Sequence, residues 1–143
     1  MDLRQITPGF AVSPQLAPED FVAAAAAGFR TIINNRPDDE IEPDLWADEM
    51  ARMAAAAGLA YRYIPYYSGN LTPDLVTRFE AALRDCEGPV LAYCRSGTRS
   101  CYLWAMAMAG HLPTAEILAT TRRAGYDATG LAPAIEDRPR LRG

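Results

Sequence analysis

The chain has no lysine: all 14 of its basic residues are arginine. Together with its many alanines, this reads as codon bias of a GC-rich bacterial genome rather than as a functional device. It has a single histidine, His111, and three cysteines, Cys86, Cys94 and Cys101, with no C-x-x-C pair. That count and spacing argue against a disulfide framework and a zinc site. No apolar run approaches the roughly 18 residues of a membrane span, and the opening MDLRQITPGF lacks the apolar core of a secretion signal. A cytoplasmic protein with reduced thiols is expected. Nor is there a basic excess. The net charge is −4 and the pI about 4.9, which argues against nucleic acid and anionic membrane as partners.

What is present is ordinary for a globular protein. Half of the 143 residues are hydrophobic and 22% are charged, enough for one domain over residues 1–143 with a real core. Extended segments are predicted at Arg4–Ile6, Phe10–Val12, Arg30–Asn34, Ala60–Ile64 and Pro89–Tyr93. Helices are predicted at Pro18–Ala27, Asp44–Ala57, Thr72–Asp85, Arg99–Ala109 and Thr114–Ala124. The second of these carries an apolar stripe of Trp46, Met50, Met53 and Ala57. Thr72-Pro73 is an N-cap followed by an N1 proline. Leu131–Glu136 reads as a short turn and Arg138–Gly143 as a frayed tail. Strands alternating with helices predict an α/β fold with a mostly parallel central sheet flanked by helices.

The stretch from Gly88 to Gly110 organises the rest. A buried strand ends at Tyr93, a turn of small and cationic residues follows, and an apolar helix begins at Arg99. Cys94 thus lies at the carboxyl edge of a parallel sheet, where ligands bind in open α/β folds. No acid occurs between Glu87 and Glu116. A thiol at a helix N-terminus beside Arg95 and Arg99 is expected to act as a nucleophile. The main-chain N–H groups from Arg95 to Ser100 are placed to converge on a small anion, Gly97 lets the loop curl, and Arg99 offers a two-pronged fork to an oxyanion. The Thr98 and Ser100 hydroxyls are further donors to the anion or the sulfur. Cys94 and Arg99 are therefore the expected catalytic pair, with Arg95, Ser96, Gly97, Thr98 and Ser100 as anion-binding residues.

The segment Cys94-Arg95-Ser96-Gly97-Thr98-Arg99-Ser100 resembles the signature of cysteine-dependent phosphatases of the dual-specificity type. Those place five residues between cysteine and arginine; here there are four, the rhodanese spacing. The combination resembles the phosphatase-like domain of beta-lactamase hydrolase-like proteins, a family described as sulfur transferases. The similarity extends through Ile6-Thr7-Pro8, the RTIINNRP segment of residues 30–37, Tyr63-Ile64-Pro65 and Ala124-Gly125-Tyr126-Asp127. It implies a dual-specificity-phosphatase fold carrying a rhodanese-length loop; in some relatives the domain is fused to a persulfide dioxygenase.

Removing one loop residue removes one N–H and tightens the curve. The resembling phosphatases also use, as general acid, an aspartate in the loop after the strand that here is Ala60–Ile64, whereas in this chain that loop reads Tyr66-Tyr67-Ser68-Gly69-Asn70. Both features point to a sulfurtransferase. In it, Cys94 takes a sulfur from thiosulfate or a persulfide and passes it to a thiol or cyanide, without metal or organic cofactor. A separate persulfide dioxygenase is a conceivable partner. The alternatives are a protein tyrosine or dual-specificity type phosphatase, and a non-catalytic anion- or persulfide-binding module.

The remaining chemistry-bearing residues have plainer readings. Cys101, on the apolar helix, is read as core, with a resolving thiol as the alternative. Cys86 is read as structural or exposed, and His111 as a surface-loop histidine. The acidic run Asp38, Asp39, Glu40 and Glu42 is read as a solvated loop. Tyr66 and Tyr67 either wall the pocket or pack on the sheet, and Trp46 and Trp104 are read as core.

Overall fold

The computed structural model describes residues 1–141. It contains strands β1 (Arg4–Thr7), β2 (Phe10–Ser13), β3 (Thr31–Asn34), β4 (Ala60–Tyr63) and β5 (Val90–Tyr93). The helices are α1 (Asp20–Ala26), α2 (Ala47–Ala56), α3 (Pro73–Asp85), α4 (Thr98–Ala107), α5 (Thr114–Arg123) and α6 (Ala132–Leu141). The sheet order is β1-β2-β5-β3-β4. Only β1 runs antiparallel to its neighbour, and β5 is central, paired in parallel with β2 and β3. This is the α/β architecture expected.

The two faces of β5 explain why its sequence is apolar throughout. Val90 and Ala92 belong to the core on one side of the sheet, with Phe79 of α3 and Leu103 of α4. Leu91 and Tyr93 belong to the other, with Phe21 of α1 and Met50 of α2. A period of two along a strand buried on both faces leaves no polar position. All four side chains are buried, and the pairing of Tyr93 with Ser13 of β2 and Asn34 of β3 sets where Cys94 emerges. Helix α3 starts as expected, the Thr72 hydroxyl accepting from Leu75 N–H at 3.2 Å.

Several expectations change. Helix α2 starts at Ala47, not Asp44, because Pro43–Leu45 forms a 3-10 turn and Trp46 is an extended N-cap residue. Trp46 is 43% exposed, its Nε1–H donating to Ile41 O, so it is not core. The buried face is Ala47, Met50 and Ala54, with Met53 turned outward. Small side chains at i and i+7 let this helix lie close to the sheet. Helix α4 closes at Ala107 rather than Ala109. The expected tail continues as α6, in which Arg138 is buried and bonded to Glu80 at 3.1 Å; Arg142 and Gly143 lie outside the described residues. Trp104 is core, as read from sequence. Among the described residues no helix is long and apolar enough to cross a membrane.

Candidate active site

The chain leaves β5 at Tyr93 and enters α4 at Thr98, so residues 94–97 must reverse direction in one tight loop. Gly97, with φ of +90°, makes this possible. It is also held on the side away from the cavity of the loop: a Cβ there would sit 2.3 Å from the Tyr126 hydroxyl and 3.4 Å from the Ser13 carbonyl carbon. Tyr126 donates to Ser96 O at 3.2 Å. The β2–α1 connection backs the loop through Cys94 N–H to Ser13 O (3.4 Å) and Gln15 N–H to Arg95 O (3.3 Å).

Within this frame Cys94 is buried, and its Sγ accepts the Gly97 N–H at 3.1 Å. Thr98 N–H reaches Ser96 Oγ at 3.4 Å, and Ser96 Oγ donates to Thr98 Oγ1 at 2.9 Å. The main-chain N–H groups of Arg95, Ser96, Arg99 and Ser100 have no protein acceptor among the described residues. Four donors are therefore unspent, two in the loop (Arg95, Ser96) and two in the first turn of the ten-residue helix α4 (Arg99, Ser100). The Arg95 side chain is exposed. Ser100 is placed differently from the expectation: it is buried and its hydroxyl donates to Asn35 Oδ1 at 2.8 Å.

Arg99 is fixed by a residue that the sequence reading treated as solvated. Glu40 takes Nη1 at 2.9 Å and Nη2 at 2.7 Å, and Nη1 also donates to Tyr66 O at 2.6 Å. A guanidinium has five N–H groups. Glu40 and Tyr66 use three of them, leaving Nε–H and the second Nη2–H as a free edge, the geometry that grips two oxygens of an oxyanion. The acidic loop thus orients the cation. Arg36 steadies it, donating to Glu40 O at 3.1 Å, and Asp38 Oδ1 accepts Ala47 N–H at 2.8 Å to start α2.

Asn35, unremarked in the sequence, ties these parts together. It is fully buried. Its N–H donates to Tyr93 O, its Nδ2 to Ile64 O, its Oδ1 accepts from Ser100, and its carbonyl accepts Tyr66 N–H, all at 2.8–2.9 Å. One residue, through its main chain and its side chain together, therefore joins the ends of β3, β4 and β5 to the first turn of α4. Only its position one residue past a buried strand hinted at this.

Cys101 is buried in the core, and burial pushes its thiol up to about 12. Such a group is a packing residue at neutral pH. Cys86 is half-buried at the end of α3, and His111 is exposed, bonded to Glu80 at 3.1 Å. No cluster of metal-ligating side chains occurs among the described residues.

Burial also pushes Tyr61 and Tyr126 up to about 12 from an ordinary 10.0. For these groups and Cys101 the neutral form is favoured on folding. Their stabilisation is complete below the unfolded values, near 9 for the thiol and 10 for the phenols, and is lost as pH rises toward 12. Denaturant titrations should show no loss from these groups between pH 7 and 9 and a falling midpoint from pH 9 upward. A midpoint that rises above pH 10 would contradict this assignment.

Comparison with known proteins agrees with this geometry. The family model described as beta-lactamase hydrolase-like protein, phosphatase-like domain, matches residues 2–111. A beta-lactamase hydrolase-like protein of Xylella fastidiosa is 35% identical over 130 residues, which is 89% of this chain and 30% of that one. The chain thus spans less than a third of the length of the curated relatives it matches. The crystal structure of a protein from Neisseria meningitidis, provisionally assigned as a phosphatase, is 30% identical with a TM-score of 0.82. It covers 96% of this chain and 99% of its own. Kinase associated phosphatase, solved with its catalytic-site cysteine replaced by serine, shares the fold at a TM-score of 0.74 and 12% identity, covering 94% and 88% of the two chains.

These findings overturn the sulfurtransferase expectation and its rhodanese-like description. The matched domain and the structural neighbours are phosphatase-like, and they fit the phosphatase alternative. The spacing argument counted residues, yet a segment with four residues between Cys94 and Arg99 still leaves the N–H groups of Arg95, Ser96, Arg99 and Ser100 without an acceptor among the described residues.

Proposed function

We propose that this chain, which belongs to the phosphatase-like domain family of beta-lactamase hydrolase-like proteins, is a cysteine-dependent phosphatase acting on phosphate monoesters. The observation that carries the reading is the set of donors in the segment that follows Cys94: four unspent N–H groups, of Arg95 and Ser96 in the loop and of Arg99 and Ser100 in the first turn of α4, and the free Nε/Nη2 edge of Arg99. Three phosphoryl oxygens need about six hydrogen bonds, and these groups offer that number without rearrangement. In this reading Cys94 attacks phosphorus, the ester oxygen leaves, and water hydrolyses the resulting phosphocysteine. The loop amides and Arg99 stabilise the charge that spreads over the equatorial oxygens in flight. Arg95, exposed at the rim, adds to the field that draws in a dianion. Family membership and the phosphatase-like neighbours support the same reaction.

The test is release of phosphate from an aryl phosphate, with competitive inhibition by vanadate. Absence of both would contradict the reading. Glu40→Gln separates positioning from binding. It keeps the shape but loses the ionic partner of Arg99, so kcat should fall roughly tenfold while KM does not rise, because one negative charge has been removed from the site. A raised KM at unchanged kcat would assign Glu40 to substrate binding instead.

A further inference from the structure

Among the described residues, the carboxylates that the structure places beside Arg99 and along its loop are already engaged. Both oxygens of Glu40 are held by Arg99. Asp38 caps α2, and exposed Asp39 is occupied by the Tyr67 hydroxyl at 3.1 Å. Asp127 accepts two bonds from Thr129, which hold its carboxyl below the usual range and hence ionised. Asp74 lies in the first turn of α3.

A phenol remains. The chain has seven tyrosines. The hydroxyls of Tyr61, Tyr63, Tyr67, Tyr93, Tyr102 and Tyr126 all have a protein hydrogen-bond partner. That of Tyr66 has none among the described residues, and it is not among the sealed polar atoms either. Tyr66 is nonetheless only 5% exposed, its ring part of the core cluster that includes Leu75 and Cys101. A buried ring whose hydroxyl has neither a protein partner nor a seal around it leaves that hydroxyl open for proton transfer, and the charges felt at the phenol are those of Arg99, Tyr102 and Cys94. Its backbone is clamped to the same site at both ends, Tyr66 N–H on Asn35 O (2.9 Å) and Tyr66 O under Arg99 Nη1 (2.6 Å). Burial raises its pKa, so the proton is present at neutral pH.

We propose that the Tyr66 hydroxyl is the proton donor to the leaving group, a catalytic residue supplied by the loop after β4 where an aspartate is missing. The proposal rests on the phosphatase reading of the same site. As Cys94 sulfur bonds to phosphorus and the P–O ester bond breaks, the departing oxygen takes the phenol proton, giving an alcohol or phenol and a Tyr66 phenolate. The phenolate then accepts a proton from the water that attacks the phosphocysteine. This releases phosphate and restores the phenol and the thiolate.

A proton donor matters in proportion to the basicity of the leaving oxygen. The experiment compares wild type and Tyr66→Phe on phenyl phosphate, a poor leaving group, and 2,4-dinitrophenyl phosphate, a good one. The phenol has no partner to lose, so the Phe variant should keep the wild-type melting temperature. It should lose about 100-fold in kcat/KM on phenyl phosphate and under about threefold on dinitrophenyl phosphate. A second measurement needs no variant: the wild type should show a shallow dependence of rate on leaving-group pKa over a series of aryl phosphates. An equal loss on both substrates, no loss on phenyl phosphate, or a steep wild-type dependence overturns the donor while leaving the phosphatase intact. A wild type that cleaves neither substrate overturns the phosphatase reading and the donor with it.

Discussion

Cys94→Ser should slow aryl phosphate hydrolysis by about 10⁴-fold or more, with the fold unchanged. Serine is nearly isosteric and can accept the Gly97 N–H that now reaches Sγ at 3.1 Å, so the loop should keep its shape, at a stability change of about 1 kcal/mol or less. What is lost is the nucleophile. A hydroxyl stays protonated at neutral pH, and no general base lies beside it: His111 is bonded to Glu80, and Glu40 is held by Arg99. The four open N–H groups and the Arg99 edge persist, so the variant should still bind the ester. Unchanged inhibition by, or calorimetric binding of, an unreacted aryl phosphate, with turnover abolished, is the expected pair of results. Retention of more than about one hundredth of the wild-type rate would remove Cys94 from the chemistry.

Gly97→Ala carries the second large effect, and it acts on structure first. The residue has φ of +90°, where an alanine costs about 1–2 kcal/mol. Its Cβ would also fall 2.3 Å from the Tyr126 hydroxyl and 3.2 Å from Cζ. Tyr126 is buried and donates to Ser96 O, so it cannot swing away without breaking the bond that braces the loop. Displacing it costs about 1–3 kcal/mol as overpacking, for a total of about 2–5 kcal/mol, read as a shift in the denaturant midpoint. Activity should fall further than stability, since the displaced segment holds the N–H groups. Combining Gly97→Ala with Tyr126→Phe removes the worst contact and should recover part of the stability. Full tolerance of the single change would mean that the loop is not held from behind by Tyr126.

The fold was legible because its signals are local. Four consecutive apolar residues of β5, bounded by Pro89 and a cysteine turn, fix a central strand, and Thr72-Pro73 marks the start of α3 to the residue. The cysteine loop was legible for the same reason, being one contiguous segment. What was not legible depends on pairs far apart in sequence. Glu40 meets Arg99 across 59 positions and Ser100 meets Asn35 across 65, and no periodicity encodes either. Trp46 was misplaced because the helix was started at Asp44, inside the Pro43–Leu45 3-10 turn, whereas Trp46 is the extended residue that precedes α2 and so falls outside the helical phase of Met50 and Ala54. The cargo was misjudged because a count between Cys94 and Arg99 stood in for geometry. The number of N–H groups left without an acceptor, not the number of residues, decides what the loop can hold.

The most direct test of the central claim is to trap the covalent intermediate. Wild-type protein mixed with dinitrophenyl phosphate and quenched in acid within the first turnovers should gain one phosphoryl group by intact mass, located by peptide mapping on Cys94 and absent from Cys94→Ser. Turnover without a phosphorylated cysteine, or with the phosphoryl group on another residue such as His111, would contradict the account.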